Sequence, residues 1–458
     1  MKTTLFSIQL FCCCLLFTAC TKTGFLDEKP NSSIVVPASL TDLRSMLDNT
    51  QVFTFSPGLG ELAADDYYTL PANWQAMPAI ERNSYTWESD IYGNQQNLSD
   101  WSLPYQQILY SNIVLEQLNK IVPTVAETAE WNDIKGSALF KRALAMSSLV
   151  QHFAPAFDSS NMETTPGVPI RLSADIKNYL PRNSMRACYD QVFADLTEAL
   201  PLLSPLVPQL TKNRPSRPAA YALLARNALL TGQYQQAKNY ADNVLQLYNQ
   251  LIDYNTISTT ATTPFDRSTI ETLYYCQAIS QYTSLQTIST TVFADTLLYR
   301  SYQNNDLRRS IFFRTISGGN IGFKRGYSGT VFSFTGLATD EVYLIRAEAL
   351  ARLGQTQNAL ADLNSLLVKR WRTGTFAPVT AATANEALQK ILAERRKELV
   401  WRGLRWQDLK RLNKQGLNLS LTRILGSQVY TLLPGSNKYV FAIPQNEITL
   451  SGITQNPR

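Results

Sequence analysis

Histidine is nearly missing from this 458-residue chain: there is one, His152. A lone histidine removes most Ser-His-Asp and Cys-His schemes and most histidine metal sites. It follows an apolar helical stretch and reads as structural. There is no G-x-x-x-x-G-K-[ST] phosphate loop and no G-x-S-x-G elbow. Cysteine is scarce in the body. Of six cysteines, Cys12, Cys13, Cys14 and Cys20 crowd the N-terminus, leaving Cys188 and Cys276. Those two give no metal spacing, and one possible disulfide is not a framework. Charged residues make up only 17%, and the net +6 is spread along the chain. Nucleic acid usually demands a concentrated basic face, so it is not an expected partner. No cofactor is implied.

Long apolar runs are also absent, with one exception. Lys2 precedes an apolar stretch from Leu5 to Ala19, and Cys20 follows. A basic start and an apolar run of about fifteen residues make a secretory signal, whereas a spanning helix takes about twenty. Phe17-Thr18-Ala19-Cys20 resembles a bacterial lipobox. That resemblance implies loss of residues 1–19, lipid on Cys20 and a tether over 20–24. The expectation is a single soluble body, residues 25–458, held at a membrane by lipid alone.

Residues 51–102 are rich in Gly, Pro, Asn, Asp and aromatics, which predicts ordered loops with short turns. Helical spacing begins near Leu103, where Ile108, Ile113, Leu115 and Leu118 form a stripe. "IKGSALFKRALAMSSLVQHF" reads as the next helix, and "SMRACYDQVFADLTEALPLL" as another with Ser184 as N-cap. Tyr221, Leu224, Ala225, Ala228, Gly232, Tyr234, Ala237 and Val244 then resemble the signature positions of a tetratricopeptide hairpin. Ala225 and Ala237 let two helices approach closely, and Gly232 can end the first in a left-handed conformation. Tyr343, Ala347, Leu350, Gly354, Ala359 and Leu366 repeat that spacing. Residues 252–338, between the two units, read as an insertion of strands or ordered loops. Residues 413–437 read as a linker, and 438–444, "KYVFAIP", as a short strand. The predicted fold is mostly α, with tetratricopeptide-like hairpins around 103–153, 184–247 and 339–412. A loop-rich second layer over 51–102 and 252–338, with minor short β-strands, would carry the ligand.

The stretch "ERRKELVWRGLRWQDLKRL", Glu394 to Leu412, interleaves acids with bases, which weakens any nucleic-acid reading. As a helix it would pair Glu398 with Arg402, Arg405 with Asp408, and Asp408 with Arg411. Gly403 suggests two helices meeting there. Glu394 and Glu398 both have nearby arginines and read as structural ion pairs, not as a general acid/base pair.

This stretch resembles the signature of SusD/RagB-type outer-membrane nutrient-binding lipoproteins, E-R-R-x-E-L followed by G-x-R-W-x-D-L-x-R. Glu394, Arg395, Arg396, Glu398, Leu399, Gly403, Arg405, Trp406, Asp408, Leu409 and Arg411 all match. Trp401 stands where the family more often has Phe. Phe25-Leu26-Asp27 resembles the family's post-cysteine start. Ile443, Pro444, Glu447, Ile448, Thr454, Gln455, Asn456 and Pro457 resemble its close, with Ala442 in place of a usual Pro. The resemblance implies a lipid-anchored lid over a SusC-type TonB-dependent transporter in the outer membrane of Bacteroidota. Such a lid captures oligosaccharides, or in some members peptides, and is not an enzyme.

Aromatic faces stack on sugar rings while Asn, Asp and Arg satisfy hydroxyls. The resemblance draws ligand sites from the early loops and the mid-chain insertion. In the loops the candidates are Asp65, Asp66, Tyr67, Tyr68, Trp74 and Asn94. In the insertion they are Tyr274, Tyr302, Arg308 and Tyr327. Trp74, in "LPANWQAMP" between prolines, is the best candidate for an exposed platform, while Trp101 and Tyr105 read as core. Two rival readings stand: a surface glycosidase using Asp65 or Asp66, and a ligand-free tetratricopeptide scaffold.

Overall fold

Short hydroxyl side chains set where several helices begin. Ser184 accepts from the Ala187 amide, Ser216 from Ala219 and Thr383 from Glu386, each satisfying a first-turn N–H. The computed structural model describes residues 37–458, apart from 94 and 268. The lipobox, Cys20 and the post-cysteine start therefore lie outside the described residues, as does Asn94.

Nine described helices reach ten residues or more. They are α1 (Ser99–Leu118), α2 (Thr128–Phe153), α3 (Met185–Ala199), α4 (Arg217–Leu230), α5 (Tyr234–Leu247), α6 (Thr339–Arg352), α7 (Thr356–Leu367), α8 (Ala384–Glu398) and α9 (Arg405–Lys414). Each of α1 to α6 packs on the next, so α6 lies against α5 across the whole insertion; α7 and α8 then pack on α6. The expected hairpins are α1–α2, α4–α5 and α6–α7. Ala225 and Ala237 are fully buried at the α4–α5 contact, and Gly232 has φ 72° between the two helices. The buried faces of α1 to α5 supply much of the main core, while α6 to α8 build a second one around Leu344, Leu363 and Ile391.

The second layer differs from the loops expected. Residues 51–102 contain the helices Thr50–Phe53, Leu59–Ala63, Pro71–Ala76 and Ala79–Tyr85. None exceeds seven residues, too short for a 3.6-residue period to show. The insertion holds strands of two or three residues. β1 (Phe55–Ser56) pairs in parallel with β4 (Gln277–Ala278). β2 (Tyr67–Thr69), β3 (Thr272–Tyr274) and β6 (Phe313–Thr315) pair antiparallel with β5 (Val292–Ala294), β8 (Leu337–Ala338) and β7 (Ile321–Phe323) respectively. The insertion also has its own core of Tyr254, Phe265, Tyr275, Tyr327 and Phe334. Residues 413–437 are not a plain linker. They form a hairpin of β9 (Leu421–Leu425) and β10 (Gln428–Leu432), with alternate residues of β9 buried. Residues 438–444 are not a strand; a single turn of 3-10 helix, Asn437–Tyr439, begins that segment.

The signature stretch breaks as expected. α8 ends at Glu398, Gly403 has φ 68°, and α9 begins at Arg405. The break changes two of the pairings. Arg402 lies beyond the helix end, so it meets Asp340 at 2.9 Å and not Glu398. Arg405 reaches Asp65 at 2.7 Å and not Asp408. Asp408 does accept from Arg411, at 2.7 Å, and from Arg395, at 2.8 Å. Cys188 and Cys276 are both buried free thiols. No described helix is long and apolar enough to cross a membrane.

Candidate ligand-binding face

β2 sorts the early candidates by strand alternation. Tyr67 and Thr69 point inward and are buried, while Tyr68 between them is half-buried. The Tyr67 hydroxyl donates to the Leu62 carbonyl at 2.7 Å, and its ring meets Trp401 edge-on at 5.6 Å. Tyr67 is therefore core, not a ligand contact. Tyr68 packs on Phe293 of β5 at 5.3 Å, and its hydroxyl donates to Asn320 Oδ1 at 3.0 Å.

Pro71 opens the helix that follows, as its fixed φ favours. Trp74 on this helix is half-buried, so it is a packed ring with one accessible side. Its Nε1 donates to the Arg82 carbonyl at 3.1 Å. Its ring lies 6.3 Å from Tyr430 at 45°, and the Arg82 guanidinium stands 6.0 Å from its centre. Tyr430 sits on β10 and was missed because its segment read as a linker. The alternation "LTRIL-GS-QVYTL" would have marked it as a hairpin strand. Arg423, opposite Tyr430 in the hairpin register, is buried and pins the hairpin in place. Its guanidinium donates to the carbonyls of Tyr67 and Ala64 and lies 4.0 Å from the centre of the Tyr85 ring.

Asp65 and Asp66 take a different role from the one expected. Asp65 accepts two hydrogen bonds from Arg405, at 2.7 and 3.0 Å, and pairs with Arg396 at 3.0 Å. Burial would raise its pKa, but Arg405 and then Arg396 outweigh it and hold the carboxyl well below the usual range. Asp66 is fully buried, and that burial pushes it up to about 6 despite Arg396 nearby. Both carboxylates are paired with arginines of the signature stretch, whereas a glycosidase pair would flank a sugar between them. Both tie the start of β2 to the signature helices.

The insertion candidates are interior as well, because the insertion packs on the helices and does not stand off as free loops. Tyr274 accepts from Lys141 Nζ at 3.1 Å. Tyr302 donates to the Lys397 carbonyl at 2.7 Å, and Tyr327 to Glu271 Oε2 at 2.7 Å. Arg308 is fully buried, held by Asp306 at 2.7 Å, Glu394 at 2.6 Å and Glu398 at 3.0 Å. Glu394 and Glu398 are thus structural, as read from sequence. So is His152, whose Nδ1 meets the Ser148 carbonyl at 2.8 Å while burial pushes its pKa down to about 4. From the predicted set Trp74 and Tyr68 reach the surface, with Asp65 partly exposed but paired with Arg405 and Arg396; Tyr430, Arg82 and Asn320 join them.

Two family models match the chain. One, described as starch-binding and associating with the outer membrane, covers residues 24–229; the other, the SusD family, covers residues 339–458. The chain belongs to the SusD/RagB family. No curated protein matches it. Among solved structures, a SusD superfamily protein from Bacteroides thetaiotaomicron is 22% identical with a TM-score of 0.75, covering 92% of this chain and 100% of that one. A SusD-like carbohydrate binding protein from Bacteroides vulgatus is 21% identical with a TM-score of 0.69, covering 90% and 96%. A SusD superfamily protein from Bacteroides fragilis is 19% identical with a TM-score of 0.71, covering 91% and 99%. At these identities the likenesses establish the fold. Family membership supports a glycan-binding role at the outer membrane.

Proposed function

We propose that this protein captures an oligosaccharide at the cell surface and delivers it to a SusC-type TonB-dependent transporter, without cleaving it. Lipid on Cys20 would hold it in the outer membrane beside that partner. The observation that carries the ligand class is the Trp74–Tyr430 pair. Two half-buried rings 6.3 Å apart at 45° offer a shallow aromatic notch beside the Arg82 guanidinium. Sugar C–H faces stack on such rings, and a guanidinium donates to ring hydroxyls. Tyr68 and Asn320 present a phenol and an amide on the same second layer. The similar structure from Bacteroides vulgatus named as a SusD-like carbohydrate binding protein supports the same class.

A thermal-shift and calorimetry screen of the purified protein against plant, host and microbial oligosaccharides and mixed oligopeptides tests this. One glycan class should raise the melting temperature by mass action. Trp74→Ala or Tyr430→Ala should weaken it by about 2 kcal/mol, roughly thirtyfold, as a central aromatic anchor does. The glycan should be recovered uncut. A response to peptides alone would overturn the glycan reading, and glycan binding indifferent to both substitutions would overturn the assignment to this face.

A further inference from the structure

Apart from that face, a cleft of about 470 Å³ with a mixed polar and apolar lining opens between residues 155–165, the last turns of α9 and residues 435–440. Its size lies within the range of small-molecule sites. We infer that this cleft is a second binding site, for the carboxylate group of a small acidic ligand.

The central feature is Lys410. It lines the cleft, yet only 5% of it is exposed. Its Nζ donates to the carbonyls of Gln151, at 2.8 Å, and Ala154, at 2.6 Å, capping the C-terminal end of α2. An ammonium carries three N–H groups. Two are used, and the third meets no acceptor among the described residues. No described carboxylate pairs with Lys410 either. The helix end offers only a partial negative charge, and burial pushes the lysine down to about 7. An incoming carboxylate would supply both the missing acceptor and the missing charge.

The other lining groups fit the same occupant. Lys414, one helical turn on, also lines the cleft and holds Asp158 at 2.5 Å. Asp158 is the one acid in the lining, and it already accepts from the amide and hydroxyl of Ser160 at 3.0 and 2.7 Å. The Asn437 side chain makes no hydrogen bond among the described residues, and Asn161 uses its oxygen on Thr165 and leaves its NH₂ open. With Lys410 protonated, two lysines against one acid leave one positive charge, surrounded by neutral amides. A single free N–H suits one singly charged group, and the partial negative charge of the helix end disfavours a more highly charged one. Phosphate sites take arginine forks or helix N-termini instead. A uronic acid and a peptide C-terminus both present such a carboxylate with polar groups beside it.

Calorimetry on the full chain with digalacturonate and its methyl ester, and with glycylglycine and glycylglycinamide, separates the two sources. One acid should bind, and its counterpart without a free carboxylate should bind about tenfold more weakly or not at all. Asn437→Ala should weaken the acid severalfold. Asp158→Asn, which removes a like charge, should tighten it. Both residues are at the rim, so these variants decide the matter even if Lys410→Met, which uncaps α2, fails to fold. Trp74→Ala should leave acid binding unchanged. Equal binding of acid and counterpart, no binding of either acid at millimolar concentration, indifference to both rim variants, or loss in Trp74→Ala would each overturn the inference. None of these results bears on neutral-glycan capture at the Trp74 face, so the two readings fail separately.

Discussion

Glu398→Gln should cost this protein about 3–5 kcal/mol of stability, the usual penalty for removing one partner of a buried ion pair. The side chains of Glu398, Arg308 and Arg370 are all fully buried. One Glu398 oxygen accepts from Arg370 Nε at 2.7 Å, and the other from Arg308 Nη1 at 3.0 Å. A glutamine keeps the shape but has one acceptor and one NH₂. It can serve one guanidinium and must turn a donor toward the other. Arg370 keeps Glu271 at 2.8 Å, and Arg308 keeps Asp306 at 2.7 Å, so each cation retains a partner and the loss is not larger. Glu271, pushed up to about 7 chiefly by burial, is also raised by the Glu398 charge, so it would ionise more readily in the variant and return part of the loss. Urea unfolding followed by circular dichroism should show a lower midpoint at unchanged slope. Glu386→Gln, which removes an exposed pair with Lys390, should sit near wild type. A Glu398→Gln loss under about 1 kcal/mol would refute the claim that this hub fastens the insertion to α8.

Gly403→Ala should destabilise by about 1–3 kcal/mol, measured by the same unfolding, since φ is 68° and the new Cβ would lie 2.9 Å from Thr335 Cγ2; no change would mean the turn relaxes freely. Glu61 is raised from 4.5 to about 8 by burial and then by Asp66. The folded state therefore holds a proton the unfolded chain has released, and stability falls as pH rises between those values, by up to about 1.4 kcal/mol per pH unit. Glu61→Gln should remove that slope, so a pH-independent difference from wild type would refute it. Arg423→Met should lower both stability and glycan affinity, because it releases the hairpin that carries Tyr430, whereas Tyr430→Ala should lower affinity alone; equal unfolding midpoints for the two variants would contradict the pinning role.

The helices were legible because they are long enough to repeat an apolar face, as in α1, α4 and α6. The candidate site was much less so, and tyrosine is the main reason. Tyr67, Tyr274, Tyr302 and Tyr327 look alike in sequence whether they face a ligand or the core. Each hydroxyl here finds an interior partner, so burial carries no penalty. Arg308 misleads in the same way, since its burial is permitted by Asp306 beside it and by Glu394 and Glu398 from another helix. The pairing of Arg405 with Asp65 crosses 340 positions, and no local spacing rule reaches that far. Tyr430 was readable in principle from strand alternation, but two short strands around Gly426 are easily taken for a linker.

The interior charges bear directly on the face above them. Asp65, held by Arg405 and Arg396, lies three residues before Tyr68. Arg423, donating to the carbonyls of Ala64 and Tyr67, reaches the same strand from the hairpin that carries Tyr430. The signature arginines and the hairpin arginine thus grip the same stretch, residues 64–67, from two sides, Arg423 from the interior and Arg405 and Arg396 from partly exposed positions, each spent on that stretch. Such an arrangement lets the accessible rings and amides change without disturbing their support. It follows that substitutions at Trp74 and Tyr430 should alter what is bound, while substitutions at Arg405 and Arg423 should alter whether the rings stand in register at all. A screen that reads affinity and unfolding together would separate the two classes. If Arg405→Ala and Trp74→Ala shifted both quantities alike, the support and the face would not be distinct parts.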